Sequence, residues 1–181
     1  MKPVIIGISG AYSGSGKTTI ATRILQRLKG WGAIKYTKTE IYCSVTDDIA
    51  ILSQEGKDTK RLLDSHAEKV LWVQSPSADL KEILPMAADK LFDLEGIVIE
   101  GNSAVKVLTP HIVVFVSGDK KDLKENAEKV LAIADVVIYD KEPPMKAPES
   151  AKKFSWDSIE DGIDYIITLV REKKDSRGPG V

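Results

Sequence analysis

The chain has 181 residues, 43% hydrophobic and 29% charged, a balance that fits one globular domain and excludes the disordered and fibrous classes. Its 26 Lys and Arg against 27 Asp and Glu leave a net charge of -1, so we expect no nucleic-acid partner and no membrane partner, and any anion must be caught locally. A single cysteine, Cys43, allows neither an internal disulfide nor a Cys-based zinc cluster, and no apolar run approaches the roughly 18 residues of a membrane span, which together predict a cytoplasmic protein.

Along the chain, short β-branched runs alternate with segments of helical periodicity, the pattern of crossover units on a mainly parallel sheet. Strands are predicted at residues 4–9, 33–36, 70–73, 96–99, 112–116 and 136–139. Their continuous apolarity implies burial on both faces. The first helix carries Ile20, Ile24 and Leu28 at helical spacing. Asp58 caps a segment through Leu62, Leu63 and His66, and Asp47-Asp48 read as N-terminal charges of a helix at 49–52. Pro85 interrupts the apolar-periodic stretch 80–92 and predicts a kink or two short helices. Asp119 precedes a helix with Leu123, Ala127, Val130 and Leu131, residues 142–148 form a Pro-rich loop, and a last helix spans about 157–171. The expected organisation is one domain over residues 1–172 and a disordered tail over 173–181.

The sharpest signal is Ala11-Tyr12-Ser13-Gly14-Ser15-Gly16-Lys17-Thr18-Thr19, placed directly between a buried strand and an amphipathic helix. Gly14 and Gly16 let the backbone curl so that successive N–H groups enclose a phosphate, and the helix N-terminus adds partial positive charge. Ser13, Gly14, Ser15, Gly16, Lys17, Thr18 and Thr19 are therefore the expected phosphate contacts. Lys17 is the point charge for the outer phosphates, and the Thr18 hydroxyl is a ligand for Mg2+. Ala11 occupies the first motif glycine, which is tolerable where φ stays negative. With the strand pattern, this loop predicts an α/β, three-layer P-loop NTPase fold with a mainly parallel, doubly wound sheet that binds a nucleoside triphosphate, GTP or ATP.

Ligands of such sheets sit at the carboxyl ends of the strands. Those ends here are polar: Thr37-Lys38, Ser75, Glu100-Gly101-Asn102-Ser103, Ser117-Gly118-Asp119 and Asp140-Lys141-Glu142. Glu100 is the candidate carboxylate for Mg2+ or for an attacking water, and with Lys17 the candidate catalytic pair. Asp58 is read either as a cap or, with Thr59, as a metal or second-substrate contact flanked by Lys60 and Arg61. Thr37, Lys38 and Asn102 complete a second-substrate or switch set. Asp140-Lys141 occupies the position of a base reader, although Pro143 stands where the Asn-Lys-x-Asp guanine motif has its acid. His66 and His111 read as core or solvent residues, and Trp31, Trp72 and Trp156 as packing.

The loop, the Ile34-Lys35 strand, the Gly56-Lys57-Asp58-Thr59-Lys60-Arg61 segment and a strand ending in Glu100-Gly101 resemble the molybdopterin-guanine dinucleotide biosynthesis protein B (MobB) family over most of residues 4–118. The resemblance implies a small P-loop GTPase, often dimeric, that binds GTP and magnesium and assists the partner enzyme attaching GMP to molybdopterin. It implies phosphate contacts from Gly14 to Thr19, magnesium near Thr18 and Glu100, and a switch role for residues 56–59. Where the family has a His-rich stretch this chain reads Tyr36-Thr37-Lys38-Thr39, and Asn102-Ser103 replace an aromatic and a lysine. Two other classes share the loop: an ATP-dependent small-molecule kinase or a ligase similar to dethiobiotin synthetase, with Lys38, Asn102 and Ser103 on the acceptor, and a nucleotide-gated adaptor without turnover.

Overall fold

Buried β-branched strands and amphipathic helices assort as the alternation requires. In the computed structural model, residues 2–118, 123 and 125–176 are described. The order is β1 (Val4–Gly10), α1 (Lys17–Arg27), β2 (Trp31–Lys38), β3 (Ser44–Thr46), α2 (Ile49–Leu52), α3 (Asp58–Asp64), β4 (Lys69–Ser75), α4 (Leu80–Asp89), β5 (Gly96–Glu100), α5 (Asn102–Leu108), β6 (Ile112–Gly118), α6 (Glu125–Leu131), β7 (Val136–Tyr139), β8 (Lys152–Ser155), a 3-10 turn at Trp156–Ser158, and α7 (Ile159–Asp175). One sheet runs β3-β4-β2-β5-β1-β6-β7-β8. Every neighbouring pair is parallel except β3 with β4.

Alternation along the strands divides the core into layers. Val98 joins Ile6, Ile8, Ala33 and Val114 beneath α1, α3 and α7, whereas its neighbours Ile97 and Ile99 join Ile34 beneath α4 and α5. Val113, Phe115 and Val137 pack with Ala127, Val130 and Leu131 of α6. The sheet is thus covered on both faces by helices, the doubly wound arrangement predicted. No described helix is long and apolar enough to cross a membrane.

Several elements differ from the sequence reading. The edge strands β3 and β8 are three and four residues long and carry no apolar run, because an edge needs only one covered face and is kept short and polar. α4 is one helix through Pro85. Pro85 and Lys81, whose carbonyl would have accepted the missing bond, are both exposed, so that carbonyl faces solvent and the helix continues. α5 is an additional helix, and α7 carries residues 173–175 in helical conformation where the tail was expected. Asp48 caps α2, its carboxylate accepting from the Ala50 amide at 2.9 Å, while Asp47 pairs with Lys69. Asp119 and residues 177–181 lie outside the described residues.

Candidate functional site

β1 delivers the chain to its carboxyl end at Gly10, and the loop that follows turns into α1 at Lys17. Gly16, the N-cap, has φ 100°, and a Cβ there would lie 2.5 Å from the Trp156 ring. Both backbone angle and space therefore demand glycine. Ala11 keeps a negative φ and its amide donates to the Val116 carbonyl at 3.0 Å, so the loop tolerates alanine at the first motif position.

Around this loop Ser13, Gly14, Gly16, Lys17, Thr18, Thr19, Lys35, Asp58, Arg61 and Glu100 line a pocket of about 190 Å³. The Lys17 ammonium donates to the Tyr12 carbonyl at 2.7 Å. Thr18 donates to the Glu100 carboxylate, 3.1 and 2.9 Å from its two oxygens. Lys35 lies opposite Glu100 in the parallel β2–β5 register, so both side chains emerge on the α1 face. Its ammonium donates to Glu100 at 2.5 Å and to Asp58 at 2.7 Å. Arg61, one turn along α3 from Asp58, donates to the Thr19 hydroxyl at 2.9 Å.

Burial lowers the Lys17 pKa, partly countered by Glu100. Burial would also lower Lys35, but the Glu100 and Asp58 carboxylates outweigh it and hold this ammonium above its ordinary value. Burial would raise Asp58, and Lys35, Thr18 and Arg61 together hold it below its ordinary value. The pocket thus keeps Lys35 charged and brings three cationic groups, Lys17, Lys35 and Arg61, to one recess.

No protein-family model matches the chain. A uridine kinase of Ligilactobacillus salivarius (strain UCC118) is 25% identical over 205 residues, covering 94% of this chain and 94% of the relative. The crystal structure of HypB from Helicobacter pylori, in complex with nickel, superposes with a TM-score of 0.57 at 18% identity, over 95% of this chain and 89% of that one. A ParA family ATPase from Chlorobium tepidum TLS gives a TM-score of 0.40 at 11% identity, over 94% and 91% of the chains. The chain has the P-loop NTPase fold. That fold supports nucleotide binding.

Within this P-loop fold the donor set suits magnesium: one hydroxyl, Thr18, and two carboxylates, Asp58 and Glu100. Among the described residues no three His, Cys, Asp or Glu side chains converge to hold an ion. A Mg2+ held there would need phosphate oxygens and water to complete its shell, the manner in which this ion is held beside nucleotides.

The other predicted residues are placed elsewhere. Ser15 is buried with its hydroxyl unpartnered among the described residues. Thr37 accepts from the Trp72 indole at 3.0 Å, and Lys38 is exposed and paired with Glu40. Thr59 is buried and donates to the Leu52 carbonyl at 2.8 Å. The Asn102 side-chain amide bonds both backbone groups of Gly10, accepting from its N–H at 2.9 Å and donating to its carbonyl at 2.8 Å. Asp140 and Lys141 follow β7, two strands from β1, outside the pocket lining. The capping reading of Asp58 is corrected: Lys57 is the N-cap, and Asp58 opens α3 with its carboxylate on Lys35. Lys35 itself was not among the predicted site residues. Its signal is a cation inside the otherwise apolar run Trp31–Tyr36.

Proposed function

We propose that this protein is a magnesium-dependent P-loop nucleoside triphosphate binding protein, cytoplasmic, that acts slowly on the terminal phosphoanhydride and, following its MobB resemblance, uses GTP in support of a molybdopterin-processing partner enzyme. The observation that carries the phosphate chemistry is the convergence of Lys17, Lys35 and Arg61 on one pocket with the Thr18–Glu100 hydrogen bond. In this reading the Lys17 ammonium leaves the Tyr12 carbonyl for the outer phosphates. Lys35, kept protonated by its two carboxylates, meets charge developing on the transferring phosphoryl group. Glu100 orients Thr18 and Lys35, and magnesium, when bound, supplies charge neutralisation across the phosphates.

Thermal unfolding with GTP, ATP or neither, in magnesium and then in EDTA, tests this. A ligand at about 100 times its Kd adds about 2.7 kcal/mol to the folded state, a rise in Tm of roughly 5 to 11 °C for a domain of this size. A magnesium-dependent rise with GTP alone is expected. Absence of any nucleotide effect would refute the reading.

A second reading, a small-molecule kinase, is favoured by the uridine kinase relative, which matches this chain nearly end to end. It predicts nucleotide consumption only in the presence of an acceptor. Uridine is the acceptor to test first, with product mass as the readout.

A further inference from the structure

On the face of the sheet away from α1, the groove between α4 and α5 opens into a cleft of about 590 Å³ lined by Ser77, Leu80, Lys81, Ser103, Lys106 and Asn126 among others, none of the lining residues being acidic. Lys81 has no ion-pair or hydrogen-bond partner on its side chain among the described residues. The Lys106 ammonium is met by a neutral group, the Asn126 carbonyl oxygen, at 2.9 Å. Glu125, which feels the charge of Lys106, is ion-paired with Lys129 at 2.6 Å. Among the described residues neither ammonium has a carboxylate within ion-pair distance, and the two share one concavity. Two serine hydroxyls stand beside them as further donors.

We infer that this cleft binds a small organic oxyanion, a phosphate ester or a carboxylate, as a second ligand of the protein. Ammonium groups with no ion-pair partner among the described residues, and hydroxyls in the same recess, match an anion with several oxygens, each able to accept. Position fits a second ligand as well: Glu100 faces the phosphate pocket, and Ser103, three residues on, faces the cleft. The inference goes beyond nucleotide binding and stands whichever nucleotide the loop takes.

The test is a titration of the full chain carrying Lys17→Ala, which weakens the P-loop as a competing phosphate site. Amide resonances are followed by NMR at constant ionic strength, with inorganic phosphate in one arm and citrate in the other. Saturable shifts at Ser77, Lys81, Ser103 and Lys106 are expected. Saturation by phosphate alone assigns a phosphate ester, and saturation by citrate alone assigns a carboxylate; both support the site. Lys81→Ala with Lys106→Ala, or Lys81→Glu alone at its exposed position, should weaken binding about 10-fold or more. Shifts confined to the P-loop, or non-saturating shifts that survive these substitutions, overturn the inference. The same cleft substitutions in the otherwise native chain should leave the nucleotide-dependent rise in Tm unchanged. Failure of nucleotide binding and failure of the cleft are thereby read separately.

Discussion

Lys35 and Glu100, opposite each other in the register of β2 and β5, form an ion pair at 2.5 Å in which Glu100 is only 2% exposed. A carboxylate so buried is tolerable because Lys35 and the Thr18 hydroxyl both donate to it. Stability and the proposed phosphate chemistry therefore draw on the same two side chains.

Lys35→Met removes the counter-ion from a buried acid, and breaking such a pair costs about 3–5 kcal/mol. Urea unfolding should show this loss. The double variant Lys35→Met with Glu100→Leu should be less destabilised than Lys35→Met alone, since no charge is then left buried without a partner. Equal destabilisation of both would mean that the pair is not the origin of the loss.

Lys17→Met should behave oppositely in the nucleotide-free protein. Burial lowers its pKa, so the charged side chain opposes folding at neutral pH. The variant should unfold at the same denaturant concentration as the native chain or a higher one, yet show no nucleotide-dependent rise in Tm.

Gly16→Ala meets two obstacles, the left-handed backbone and the Trp156 ring. The backbone alone costs roughly 1–2 kcal/mol. Adding Trp156→Leu should recover the steric part and leave the backbone part. Partial recovery by calorimetry, with nucleotide binding still impaired, is the expected outcome.

Magnesium alone should leave Tm within about 1 °C of the metal-free value, because an ion that does not bind appreciably adds nothing to the folded state. Lys35 already compensates Asp58 and Glu100, so the acids gain little from an ion until a phosphate draws the ammonium away. Magnesium should raise Tm only with nucleotide present, and EDTA should reverse that increment. Differential scanning fluorimetry across the four combinations decides the point.

The pH dependence has two limbs. Asp58 lies below its ordinary 3.8 in the folded protein, so its contribution is complete above that value and is lost as pH falls through the lower folded pKa. Lys35 lies above its ordinary 10.5, so its contribution is complete below that value and is lost as pH rises through the higher folded pKa. Denaturant midpoints should fall in acid and in strong alkali. Lys35→Met should flatten the alkaline limb and, by removing the partner of Asp58, reduce the acid one.

The interior strands and the phosphate loop were legible because their signals are local: β-branched runs, a glycine pair and a lysine between strand and helix. What escaped depends on distant partners. Lys35 reads as an oddity in an apolar strand until its acceptor, 65 residues away, is beside it. Asp58 resembles a cap from its own neighbourhood, and only the fold brings it to a lysine 23 residues upstream. Asn102 looks like a rim residue open to substrate, whereas its amide is spent on Gly10, 92 residues distant. β3 and β8 are too short for periodicity to register.

The Asn102 clamp on Gly10 has a mechanical meaning. A side-chain amide that mimics a paired strand residue fastens the first turn of α5 to the root of the phosphate loop. Lys106, one turn further along that rod, is carried with it. A shift of the loop on filling must either move α5 as a lever or break two hydrogen bonds at once, so the two recesses on opposite faces of the sheet share a hinge.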